Sequence, residues 1–170
     1  MFHVSEEAGI ERFEPRPSKY TAGPVVWAID ADHLRNYLVP RDCPRVTYAA
    51  GRTTTAADVE RFLGSSPAVV AIESGWWDRL RSCRLYCYHL PPATFTCFDA
   101  CAGYFVSRAP VAAVRVQILD DLMAELLRRG VELRFVPDLW PLRDAVVAST
   151  LQYSIIRMVS ARPREPIPTL

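Results

Sequence analysis

The chain has 170 residues, half of them apolar, which is enough to bury a sizeable core and excludes a disordered chain. Its 20 basic and 19 acidic side chains leave a formal net charge of +1, with the arginines scattered along the sequence, which excludes the basic surface of a general nucleic-acid or membrane-surface binder. No apolar run approaches the roughly 18 residues needed to span a bilayer, and Met1 to Glu7 lacks the basic and apolar segments of a leader, so a cytoplasmic protein is expected.

Period-2 and β-branched stretches predict strands at 2–4, 25–29, 45–48, 68–72, 84–90, 111–118, 131–135 and 153–158. Between them, Asp30 can cap a helix over 31–38, and Thr54 or Thr55 can cap one over 56–63. The clearest helical period runs from Asp120 to Arg129, where Leu122, Met123, Leu126 and Leu127 form an apolar stripe and Gly130 is the stop. A fourth helix is expected over 141–151, after Asp138. Strands outnumber helices and do not alternate strictly with them. This predicts an α+β fold with a bent or split, mainly antiparallel sheet flanked by helices. One domain over 1–161 is expected, followed by a tail at 162–170 in which Pro163, Pro166 and Pro168 prevent regular pairing.

Five cysteines, an odd number, fit reduced thiols. Cys83 with Cys87 and Cys97 with Cys101 form two C-x3-C pairs that would suit four thiolates around zinc. Cys83 to Cys87 reads as strand, however, with Cys83, Leu85 and Cys87 on one side, so buried free thiols and no metal are expected. Phosphate-loop and dinucleotide glycine motifs are absent, as are the zinc-hydrolase and serine-hydrolase signatures around His3, His33 and His89.

His3 and Ser5 lie two residues apart on the first strand, which places two hydrogen-bonding groups on one face. They serve either a ligand or the neighbouring backbone. Arg16, Arg41 and Arg45 sit in proline-bounded loops and are suited to bidentate phosphate contacts; for Arg41, Asp42 and Arg45 the alternative is a local ion pair. Arg143 and Asp144 fit the opening turn of a capped helix.

The opening His3-x-Ser5, the Phe13-Glu14-Pro15-Arg16 segment and the strand Pro24 to Ala28 resemble the first two motifs of bacterial ADP-ribosyltransferase-like proteins. The whole chain also resembles a small family of uncharacterised bacterial proteins sharing Pro40 to Arg45 and Leu139 to Thr150. The transferase resemblance implies a nucleotide ligand, NAD above all, with ADP-ribosyl transfer or glycosidic hydrolysis as the activity. It implies a cofactor site of His3, Ser5, Arg16, Trp27 and Tyr37. In the strand expected over 103–111, which resembles the third motif, Ala109 stands where an acid is expected, so the catalytic carboxylate beside His3 falls to Glu73 or is missing. A second resemblance in chemistry, to RNA 2′-phosphotransferases, needs one histidine and several arginines and no glutamate; His3, Arg16, Arg41 and Arg45 would serve it. A degenerate binding module without catalysis is the third reading. In each, the partner is a nucleotide-sized small molecule.

Overall fold

The computed structural model describes residues 1–164. It divides into two compact units, each discontinuous in sequence: Met1–Arg41 with Ser82–Glu125, and Asp42–Arg81 with the chain from Leu126. Each unit is built on its own sheet.

The first unit holds β1 (Phe2–Ser5), β3 (Val26–Ile29), β6 (Leu85–His89), β7 (Thr96–Asp99), β8 (Tyr104–Ser107) and β10 (Arg115–Leu119). They form a six-stranded sheet in the order β10-β6-β1-β3-β8-β7, with every pair antiparallel. A two-stranded ribbon, β2 (Arg12–Phe13) with β9 (Val111–Ala112), adds Phe13 and Val111 to the core formed by Val26, Ala28, Tyr88 and Leu90. β1 lies inside this sheet, where His3 faces Tyr88 and Ser5 faces Tyr86 across the ladder to β6. An interior strand, bonded on both edges, gives His3 a fixed backbone.

The second unit carries β11 (Val131–Val136), β5 (Ala68–Glu73), β4 (Arg45–Ala49) and β12 (Gln152–Ile156), in that order across a four-stranded sheet. β11 runs parallel to β5, and the other pairs are antiparallel. Val46 and Tyr48 alternate on one face of β4 opposite Ala71 and Val69, and this face buries Phe62, Leu139 and Val146. The split, mainly antiparallel arrangement follows the sequence pattern; the parallel pair does not show in it.

Four helices complete the described chain: α1 (Ala56–Asp58), α2 (Trp77–Ser82), α3 (Leu122–Arg128) and α4 (Leu139–Val147). Thr55 caps α1 by accepting the Asp58 N–H, and a π-type turn continues it to Leu63, where Gly64 at φ 56° ends it. Asp138 caps α4 by accepting the Trp140 N–H at 2.9 Å, so the helix begins two residues before its expected start. The expected helix over 31–38 is only a 3-10 turn, Leu34–Tyr37, because Asp32, His33, Asn36 and Tyr37 are weak helix formers in a segment too short to nucleate.

Three further expectations are corrected. The strand over 111–118 breaks into β9 and β10. The strand read across 103–111 ends at Ser107; Ala109 lies in a turn, its N–H donating to Ser107 Oγ at 3.2 Å. Leu127 does not belong to the buried stripe of α3: it is 66 % exposed, whereas Leu122 and Leu126 are buried, and Glu125 is buried with them. α2 and β7 carry no clean period, and the sequence pattern does not predict them. Pro166 and Pro168 of the expected tail lie outside the described residues, while Arg162 is held by its backbone N–H, which donates to both Glu73 oxygens at 3.1 and 3.2 Å.

Candidate functional site

His3 is the centre of the candidate site. Its Nδ1 lies 2.9 Å from the carbonyl oxygen of Trp27. A carbonyl only accepts, so Nδ1 carries the proton and Nε2 is left with a lone pair. The ring packs against Phe13 with centroids 4.7 Å apart. Burial pulls the imidazole below its ordinary pKa of 6.5; the Trp27 hydrogen bond works against this, and the nearby guanidiniums of Arg41 and Arg16 add to it. His3 is therefore a neutral base within electrostatic reach of two permanent cations.

Backbone anchors hold both arginines in place. Arg16 and Val25 exchange two backbone hydrogen bonds of 3.0 Å, which ties the loop after β2 to the start of β3. The guanidinium of Arg16 is exposed, and no carboxylate among the described residues pairs with it. The Arg41 N–H donates to Glu6 Oε1 at 2.9 Å, immediately beyond β1. Tyr88 secures the same acidic turn: its hydroxyl donates to the Glu7 carbonyl at 2.7 Å and accepts the Ile10 N–H at 3.1 Å. Ser5 Oγ accepts the Glu7 N–H at 3.1 Å, so its hydroxyl serves the backbone while remaining on the His3 face. The supporting roles of Glu6 and Tyr88 were missed in the sequence. The period-2 pattern of β6 placed Tyr88 on a strand but could not name its partners.

Trp27 and Tyr37 are not brought to this face. Phe2 stands opposite Ile29, and alternation along β1 and β3 then puts the Trp27 side chain on the face away from His3. There Trp27 packs edge-on against Phe98 at 5.0 Å and Tyr104 at 5.8 Å, and the Tyr37 hydroxyl meets that of Tyr104 at 2.8 Å. His3 touches Trp27 only through its carbonyl. Beyond the end of β3, Asp30 Oδ1 holds His33 Nδ1 at 2.8 Å, close against Gly103, where a Cβ would overlap the His33 ring.

Glu73 and Arg45 belong to the second unit. Glu73 is 3 % exposed, and its carboxylate accepts the N–H groups of Leu139 and Arg162, the first of which opens α4. Arg45 is 2 % exposed and donates to the Cys43 carbonyl at 2.9 Å. Burial raises the Cys43 thiol to about 12, so it is inert as a nucleophile. Arg143 pairs with Asp144 at 2.8 Å within α4.

Cys83 and Cys87 are buried and in no disulfide, but Cys97 and Cys101 are exposed, against expectation, because the β7–β8 hairpin lies at the sheet edge. Among the described residues no group of three or more His, Cys, Asp or Glu side chains is placed to hold a metal ion. Nor is any helix there long and apolar enough to cross a membrane.

One family model spans residues 2–161. The chain belongs to a family of unknown function, DUF6886. That membership agrees with the expected whole-chain resemblance to a family of uncharacterised proteins. It provides no link to ADP-ribosyltransferases. No curated protein and no solved structure matches the chain.

Proposed function

We propose that the first unit binds a phosphate-bearing nucleotide, NAD among the candidates, through His3, Arg16 and Arg41. One observation carries this reading: a histidine held neutral by burial, with Nδ1 committed to a carbonyl, feels the charge of two guanidiniums whose backbones are fixed. Guanidinium forks match phosphate oxygens, and charge-assisted bonds of this kind are about twice as strong as neutral ones. Nε2 accepts a hydroxyl, from a ribose or from a protonated phosphate. Cation repulsion that disfavours protonated His3 becomes attraction once an anion arrives.

Between the two chemistries the resemblances suggested, this arrangement favours the phosphate-directed one, which works with a histidine and arginines alone. Glycosidic chemistry on NAD needs a carboxylate to stabilise the developing cation. Glu73, the residue available for that part, has its carboxylate engaged by backbone N–H groups. The stacking role expected of Trp27 and Tyr37 finds no support on the His3 face. NAD and ADP-ribose remain the first ligands to try, since both carry a pyrophosphate.

Calorimetric titration of ADP-ribose into wild type, Arg16→Lys and Arg16→Ala tests the arginine's part. Loss of a charge-assisted contact costs about 1.5 to 3 kcal/mol, a weakening of roughly 10- to 150-fold. If both variants lose equally, recognition is bidentate; if Lys retains affinity, charge alone suffices. Unchanged affinity in Arg16→Ala removes Arg16 from the site.

A further inference from the structure

Four strands form the outer edges of the two sheets, and three of them are protected. β7 is interrupted by a register shift between Cys97 and Asp99. β11 carries Glu132 and Arg134 at alternate positions, paired at 2.7 Å. β12 interleaves its apolar residues with Gln152 and Ser154. β10 interleaves Arg115 and Gln117 with its apolar residues as β12 does, but it pairs with β6 over five residues without a bulge, and its apolar Val116 and Ile118 are exposed. At alternate positions it and the preceding residue expose Val114, Val116 and Ile118, by 70, 44 and 57 %. No strand among the described residues pairs with its outer edge. A regular edge that exposes aliphatic side chains and is paired with no other strand is a template for one.

We propose that the outer edge of β10 pairs antiparallel with β10 of a second copy of this chain, about a two-fold axis at Val116. In that register Val116 faces its own counterpart, and Val114 faces Ile118 in both directions. Six aliphatic side chains then form one continuous stripe across the junction. On the opposite face Arg115 meets Gln117 of the second copy, so no like charges stand opposed. The neighbouring in-phase registers are worse. Centring on Arg115 sets two guanidiniums against each other, and centring on Gln117 sets Val114 against Asp120; directly opposed like charges destabilise a strand pair. The segment therefore matches itself in one register, which singles out a second copy as the occupant. A closed two-fold contact also stops at the dimer.

Sedimentation velocity of the full chain under reducing conditions, from about 5 to about 200 μM, spans the range suited to an interface at the small end of the usual sizes. The expected result is a monomer–dimer equilibrium in which Val116→Arg weakens association at least tenfold while the circular dichroism spectrum is unchanged. Register is read by cross-linking in a Cys97→Ser, Cys101→Ser background. Val116→Cys alone should oxidise to a covalent dimer, because directly opposed Cβ atoms lie about 4.5 to 5.5 Å apart. Ile118→Cys alone should not, whereas Val114→Cys combined with Ile118→Cys should. A monomer at every concentration, a species larger than a dimer, a dimer indifferent to Val116→Arg, or equal cross-linking by Ile118→Cys and Val116→Cys would each overturn the proposal.

Discussion

His3 links the state of the site to the pH dependence of folding. Burial, the larger influence, and the two arginines lower its pKa in the folded chain below the ordinary 6.5, so as pH falls the unfolded chain takes up this proton first. The stabilisation is complete above about 6.5 and is lost as pH falls toward the folded value. His89 acts in the same direction, since burial and Arg115 lower its pKa as well. Denaturant unfolding between pH 7.5 and 5 should show stability declining with acidity, with a shallower decline in His3→Gln. An identical slope in the variant would mean that His3 is not held neutral. Tyr88 tests the scaffold beneath. Its buried hydroxyl bridges Glu7 and Ile10, so Tyr88→Phe should cost about 1 to 3 kcal/mol by leaving both backbone groups short of a partner. It should also loosen the acidic turn that anchors Arg41.

Among the elements, α3 offers the sharpest contrast between neighbouring residues. Leu126 is fully buried and Leu127 is largely exposed, although their apolar character is the same. Leu126→Ala should cost about 2 to 5 kcal/mol and Leu127→Ala less than about 0.5, measured as shifts in denaturant midpoint at constant slope. The hydrophobic period located this helix but drew its stripe one residue too wide, admitting Leu127 and omitting the buried Glu125, because periodicity records apolar character and not which flank is covered. β1, where Phe2 and Val4 alternate with His3 and Ser5, was legible for the same reason. β7 was not: Thr96–Asp99 is exposed throughout, so selection for burial left no alternation to read. The 3-10 turn at Leu34–Tyr37 shows the opposite failure, a capping signal at Asp30 with nothing behind it strong enough to carry a helix.

Taken as a whole, the molecule has two units, each with its own sheet, and the chain passes between them three times. That division leaves no linker signature, so composition alone suggested one domain. Much of the candidate site could be read in advance, because His3, Ser5, Arg16 and Arg41 fall in a strand and in proline-bounded loops near it. Pairing register determined the rest. A single alternation step turns Trp27 to the other face, and backbone hydrogen bonding draws Glu73 into capping α4; neither is encoded in residue type. What emerges is a neutral histidine on the face of an antiparallel sheet, within electrostatic reach of two arginines with anchored backbones, in a family of unknown function. Calorimetric titration of ADP-ribose and of adenosine into wild type and His3→Ala tests the central claim most directly. The account predicts that wild type binds ADP-ribose and not adenosine, and that His3→Ala binds it about 5- to 150-fold more weakly, the loss of one polar partner, while remaining folded. Equal affinity of wild type for the two ligands, no binding of either, or unchanged binding in a folded His3→Ala would contradict it.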